Sequence, residues 1–312
     1  MKQIVSHIET ALSQKQYSQA LSLYLEWFLA CENNVNVIQS WHPQHLANAA
    51  SLARRDFFER VSPSASQSTR CKKALSNFIG LHEEPWQNDL QQPSFFYFPD
   101  LMAKPFYKAE EIEGLETAVD IINNDLPLLK SLAASCEKSY VDHIGGVPNT
   151  EEWHKLKETW RSFHLISGSG GNSDISPMPD SIDYLQDEIL PSCSPLAPEV
   201  FISNLETDAY IPPHFGLSNI KLTVHVPLRV NNKAWLKAGG EKFTWHENDN
   251  CMVFDDSFEH SAKNGGEEMR SVLIFDVWHP DLSEYEKNFI EVFVTQHNQW
   301  SESFGKLAGL DK

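Results

Sequence analysis

The segment KLTVHVPL (221–228) has the two-residue period of a β-strand with one buried face. Leu222, Val224, Val226 and Leu228 point one way, while Lys221, Thr223 and His225 point the other. Short alternating runs of the same kind recur from about residue 199 onward. Turn signals separate them at NN (231–232), GG (239–240), ND (248–249) and NGG (264–266). Strands at this spacing predict an antiparallel barrel or sandwich. In MRSVLIFDVWHP (269–280), Arg270, Val272, Ile274 and Asp276 share one face, and an arginine opening such a row calls for an anion. An amphipathic helix near 282–299 closes the chain.

Upstream the texture is helical. Ile4, Ile8 and Leu12 share a helical face, and Tyr17, Ala20, Leu21, Tyr24 and Trp27 recur at three- and four-residue spacing. The run QYSQALSLYLEWFLA (16–30) resembles one tetratricopeptide-type helix pair, but stacked repeats need several copies, so a generic helical hairpin fits better. Segments 47–60 and 70–81 extend this region. The stretch EPWQNDLQQPS (84–94) breaks the pattern and marks a boundary. The division expected is a helical region over 1–84, TPR-like at most, and a second domain over 95–312. Within the latter, 110–134 reads as one or two helices, and the Gly/Ser/Pro stretch 167–182 as a loop without the GK[ST] of a phosphate loop.

Composition narrows the function. The 312 residues carry 25 Lys+Arg against 43 Asp+Glu, a net charge of −18, which argues against nucleic acid and anionic lipid as partners. No run approaches the roughly 18–20 apolar residues of a membrane span. The N-terminus MKQIVSHIETALSQKQ is too polar for a signal peptide, so the chain reads as soluble and cytoplasmic. The five cysteines, Cys31, Cys71, Cys136, Cys193 and Cys251, have no CxxC spacing and read as reduced thiols.

Among the 13 histidines, His42 and His45 have helical spacing but no third ligand nearby. His214, His225 and His260, with Arg270, come from separate strands of the C-terminal half. Two such imidazoles can hold a divalent transition metal. The usual partner of two histidines, a carboxylate two residues after the first, is absent, because Gly216 stands there. The bland alternatives are a core imidazole for His225 and an ion pair from Arg270 to Asp255, Asp256 or Glu259.

FFYFPDLMAKPF (95–106), WRSFHL (160–165), PHFGLSNIKLTVH (213–225), FDDSFEH (254–260) and DVWHPDL (276–282) together resemble the aspartyl/asparaginyl β-hydroxylase family of Fe(II)/2-oxoglutarate-dependent oxygenases. The resemblance spans roughly the last two thirds of the chain. It implies an α+β fold: a double-stranded β-helix (jelly-roll, cupin-like) core with flanking helices, preceded here by the all-helical region. It implies His214 and His260 as the iron ligands, with Gly216 where the carboxylate is missing. Arg270 would pair with the distal carboxylate of 2-oxoglutarate, assisted by Ser203, and His225 would donate to the carboxylate beside the keto group. Asn219 belongs to the motif without an assigned role.

The implied chemistry uses Fe(II), 2-oxoglutarate and O2 to hydroxylate an unactivated carbon, chiefly the β-carbon of an Asp/Asn-type residue in a peptide, protein or amino-acid-derived substrate. Thr223 occupies the substrate-binding position where animal members usually carry Arg for an acidic side chain, a charge Thr cannot supply. Those animal members are also membrane-anchored, and another branch hydroxylates lipid acyl chains. Two further readings stay open: a non-catalytic β-barrel that binds a small acid or tethers a partner protein through the N-terminal helices, and a metal-dependent isomerase on a similar barrel.

Overall fold

The computed structural model describes residues 2–31, 41–134, 138–144, 148–167, 178–191, 199–246 and 249–311. Cys136, Cys193, Asn248 of the expected ND turn and residues 168–177 of the Gly/Ser/Pro loop lie outside them. The chain forms two compact units, Glu84–Ser283 and a second made of Met1–Glu83 with Glu284–Lys312.

The second unit is helical: α1 (Lys2–Ser13), α2 (Tyr17–Cys31), α3 (Pro43–Ala65), α4 (Thr69–Phe78) and α9 (Glu284–Ser301). The division expected from the sequence puts the closing helix in the 95–312 domain. It folds instead with the N-terminal helices, because its apolar stripe of Phe289, Ile290, Phe293 and Val294 finds its cover there. Phe57 of α3 and Phe78 of α4 meet the Phe293 ring edge-on, at 5.4 and 4.9 Å between centroids. Arg70 and Ser68 both donate to the buried carboxylate of Glu286, and Arg54 pairs with Asp311 at 2.6 Å. His42 caps α3 through Gln44 N–H, while His45 Nδ1 meets the Tyr24 hydroxyl at 2.9 Å, so both have structural work. No helix among the described residues is long and apolar enough to cross a membrane. Cys31 and Cys71 are buried free thiols and Cys251 a half-buried one.

The unit Glu84–Ser283 contains the strands β1 (Phe106–Tyr107), β2 (Lys138–Ser139), β3 (Trp160–Ile166), β4 (Val200–Leu205), β5 (Tyr210–His214), β6 (Lys221–Arg229), β7 (Ala234–Ala238), β8 (Glu241–Thr244), β9 (Met252–Phe254), β10 (His260–Asn264) and β11 (Arg270–Trp278). One sheet runs β1-β9-β6-β11-β4-β3-β2 and the other β5-β10-β7-β8, all pairs antiparallel. From β4 to β11 the chain passes back and forth between the sheets, with only β7 and β8 consecutive in one of them. That is an eight-stranded jelly roll, the double-stranded β-helix.

The alternation in β6 places its two faces as expected. Leu222, Val224, Val226 and Leu228 join Leu273, Phe275 and Val277 of β11 in one core, closed by α5 (Leu115–Ala133) through Leu115, Val119 and Ile122. The opposite faces line the space between the sheets, where Phe201, Ile211, Leu236, Trp245, Phe254 and Phe258 form a second core. The expected boundary stretch 84–94 is no free linker. Gln92 N–H donates to the Ser257 carbonyl, Ser94 N–H to the Gly216 carbonyl, and Glu259 N–H to the Leu90 carbonyl, so the strap ties together the loops after β5 and before β10.

Candidate active site

A cavity of about 600 Å³ opens between the two sheets, a size suited to a small ligand. Its lining includes all six residues singled out from the sequence: His214, His260, Arg270, His225, Ser203 and Thr223. Three different strand pairings bring them together. β5 and β10 pair with His214 directly opposite His260, β6 carries Thr223 and His225, and β11 lies between β6 and β4 with Ser203 opposite Val272.

His214 and His260 have ring centroids 4.0 Å apart. Nδ1 of each lies against the carbonyl two residues earlier, Pro212 at 2.8 Å and Phe258 at 2.9 Å. A carbonyl only accepts, so each Nδ1 carries the proton and each Nε2 keeps its lone pair. Burial lowers the pKa of His214. It pushes His260 down to about 3, with the neighbouring His214 adding to the effect. Both rings are therefore neutral and fit to bind a metal ion.

His225 takes the opposite tautomer. Arg270 Nη2 donates to its Nδ1 at 3.3 Å, which leaves Nε2 protonated and able to donate. Its pKa lies well below the ordinary value, first through burial and then through the Arg270 charge. Arg270 is 4% exposed and makes no ion pair with a carboxylate of the described residues. Burial alone lowers its pKa to about 10. The expected alternative, a pair to Asp255, Asp256 or Glu259, is not formed. Asp255 instead accepts from Ser257 and Gln91. Ser203 Oγ accepts from the Trp160 indole at 3.0 Å and still has its own proton to donate.

Two details bear on a metal. Asp256 Oδ1 is buried without a hydrogen-bond partner. The Asp256 carboxyl fills the space a side chain at Gly216 would take: a Cβ there would come within 2.4 Å of Asp256 Cγ and Oδ2. The glycine that looked like a missing ligand thus makes room for a carboxylate from the neighbouring loop. Burial raises the Asp256 pKa to about 7, opposed by Lys221. Among the described residues, no third His, Cys, Asp or Glu completes a three-ligand group. Two neutral Nε2 donors and an adjoining acceptor for a bound water fit a divalent ion with open positions.

Lys221 and Asp276 also line the cavity, although the sequence pattern alone does not single them out. Lys221 Nζ pairs with Asp276 Oδ2, and Thr223 Oγ1 donates to Asp276 Oδ1 at 3.1 Å. Both positions were visible as members of the polar faces of β6 and β11. The pairing of Thr223 with Asp276 depends on register across the sheet. Asn219, left without a role, clamps the Phe98 backbone by accepting from its N–H and donating to its carbonyl, each at 2.8 Å.

Fold and cavity together define a jelly-roll protein in which two facing histidines and a buried arginine line one cavity. In comparison with known proteins, residues 131–280 match the family described as Aspartyl/Asparaginyl beta-hydroxylase, the one the sequence motifs resemble. Aspartate beta-hydroxylase domain-containing protein 1 of Mus musculus is 35% identical over 228 residues, covering 71% of this chain and 61% of that protein. Aspartate beta-hydroxylase domain-containing protein 2 of Xenopus tropicalis is 26% identical over 210 residues, covering 65% and 54%. Aspartyl/asparaginyl beta-hydroxylase of Mus musculus is 30% identical over 90 residues, covering 28% and 12%. The chain thus spans little more than half the length of the domain-containing relatives.

Proposed function

We propose that this protein is an Fe(II)- and 2-oxoglutarate-dependent dioxygenase that hydroxylates an unactivated carbon, the β-carbon of an Asp/Asn-type residue in a peptide or amino-acid-derived substrate. The observation that carries the reading is Arg270, a buried guanidinium with no carboxylate partner among the described residues, in the cavity that also holds the paired histidines. Burying a charge without a counter-ion is costly, and a dianionic oxoacid would supply one.

His214 and His260 would hold the iron through Nε2. Arg270 would take the distal carboxylate of 2-oxoglutarate with donors left over from His225, and Ser203 would add its hydroxyl proton. His225 would donate from Nε2 to the carboxylate beside the keto group. Asp256 would accept from a water on the metal. When bound, iron and 2-oxoglutarate supply the oxidising power for attack on C–H. The chain's own contribution would be to orient the cosubstrate and to keep water from the reacting centre with Trp153, Trp160 and Phe201. Trp153 meets the His214 ring edge-on at 5.6 Å.

Purified protein with Fe(II), 2-oxoglutarate and ascorbate should release succinate, slowly without substrate and faster with it. Absence of 2-oxoglutarate binding in metal-loaded protein overturns the reading.

A further inference from the structure

The far side of the cavity limits what the substrate can present to it. Two cations line the cavity, Arg270 and Lys221. Arg270 sits beside His225 and Ser203, at the end assigned above to 2-oxoglutarate. Lys221 is committed elsewhere. Its ammonium rests on Asp276 Oδ2, with 14% and 9% of the two side chains exposed, and Thr223 occupies the other carboxylate oxygen. Asp256 and Glu199, the latter 3.1 Å from His164 Nδ1, line the same cavity, so three acidic side chains share it with one ammonium. Burial works against the charge on Lys221, yet Asp276 and Asp256 together hold its pKa above the ordinary lysine range.

The segments of this unit outside the described residues (135–137, 145–147, 168–177, 192–198 and 247–248) contain no lysine or arginine, so they bring no further cation. The buried Asp256 Oδ1 also lacks a donor. A carboxylate needs uncommitted donors of positive charge, and this wall offers acceptors. An aromatic face completes it, with Tyr140 stacked on Phe201 at 4.9 Å and 4.5 Å from Trp160.

We propose that the substrate group received at this end is a neutral or cationic N–H donor, a carboxamide, guanidinium or ammonium head, and not a carboxylate. The inference rests on the dioxygenase reading and restricts its substrate to side chains with an N–H-donating head, which excludes aspartate from the Asp/Asn-type class. Lys221 then sets specificity through Asp276: it neutralises part of the acidic wall and is not free to meet an acidic substrate.

The test uses the full chain loaded with Co(II) and 2-oxoglutarate, with binding read from the Co(II) visible spectrum. The probes are the N-acetyl methylamides of asparagine, arginine and aspartate. The asparagine or arginine probe should bind at least about tenfold tighter than the aspartate probe, equivalent to about 1.4 kcal/mol. Which of the two binds tighter separates a carboxamide from a cation. Equal or tighter binding of the aspartate probe overturns the proposal, as does failure of both N–H-donating probes to bind the loaded protein. Asp276→Asn releases Lys221 and should narrow the preference; an unchanged preference overturns the role of the pair. Lys221→Met gives an independent reading, since removing the cation should keep or sharpen discrimination against aspartate, and its loss contradicts the proposal. A protein that takes up neither Co(II) nor 2-oxoglutarate refutes the dioxygenase reading itself, before any probe is added.

Discussion

His214 and His260 stand directly opposite each other in the β5–β10 register, each Nδ1 held by the carbonyl two residues before it. One strand pairing therefore fixes the spacing of the rings, and two backbone contacts fix both tautomers. Either residue changed to Ala should reduce Co(II) affinity by more than the roughly 10–100-fold typical of losing an outer-shell partner. Titration calorimetry with Co(II) checks this, and wild-type metal uptake in both variants would remove the pair from the site.

Gly216 and Asp256 compete for one volume. Gly216→Ala puts a Cβ about where the Asp256 carboxyl lies, and overpacking of this kind costs on the order of 1–3 kcal/mol. Asp256→Ala should relieve that clash, so the double variant should be more stable than the two single losses predict, a coupling measurable in a double-mutant cycle. Gly216→Asp alone should not build a third ligand, because the place is taken. Additive urea-denaturation energies would show that the two side chains do not share the space.

Under the proposed function, Arg270 should cost stability in the free protein and repay it when the oxoacid binds. Arg270→Met removes a buried charge that has no counter-ion among the described residues, and one bond to His225 worth about 1 kcal/mol. Without added ligands the variant should lose no more than about 1 kcal/mol, and a gain is consistent. In wild-type protein with Co(II), 2-oxoglutarate at 100 times its Kd should add about 2.7 kcal/mol, and the variant should lack that increment. Thermal melts with and without the oxoacid measure both. A thermal shift of wild-type size in the variant would rule out Arg270 as the receptor.

Residues whose role follows from local period were legible in the sequence. Lys221, Thr223 and His225 fall on the cavity face of β6, and Arg270 and Asp276 on that of β11, as two-residue alternation dictates. The partners were not legible, because Thr223 meets Asp276 only through the β6–β11 register, and the reason for Gly216 lies 40 residues away in Asp256. The amphipathic stripe of α9 indicated that a face is buried but could not name its cover. The strap at 84–94 reads in the sequence only as a boundary, because its anchoring relies on backbone groups and on Gln91, whose amide reaches Asp255 and Ser257. Neither leaves a hydrophobic period to detect.

That strap supports a pH prediction. Asp255 is wholly buried, accepts from the Ser257 backbone N–H at 2.9 Å and from Gln91 at 2.8 Å, and also takes the Ser257 hydroxyl. Burial nevertheless raises its pKa from 3.8 to about 6, those bonds pulling the other way. A raised folded value means that the native state holds this proton more tightly than the unfolded chain does. The stability it contributes is therefore full below about pH 4 and is lost as pH rises to about 6, by up to about 3 kcal/mol. Asp255→Asn lacks the proton, so the stability of wild type relative to the variant should fall over that interval. Urea denaturation of both proteins at pH 4 and pH 7 gives the difference directly. A gap that stays constant, or widens toward pH 7, would mean that Asp255 is already ionised at the lower pH and that its hydrogen bonds outweigh its burial.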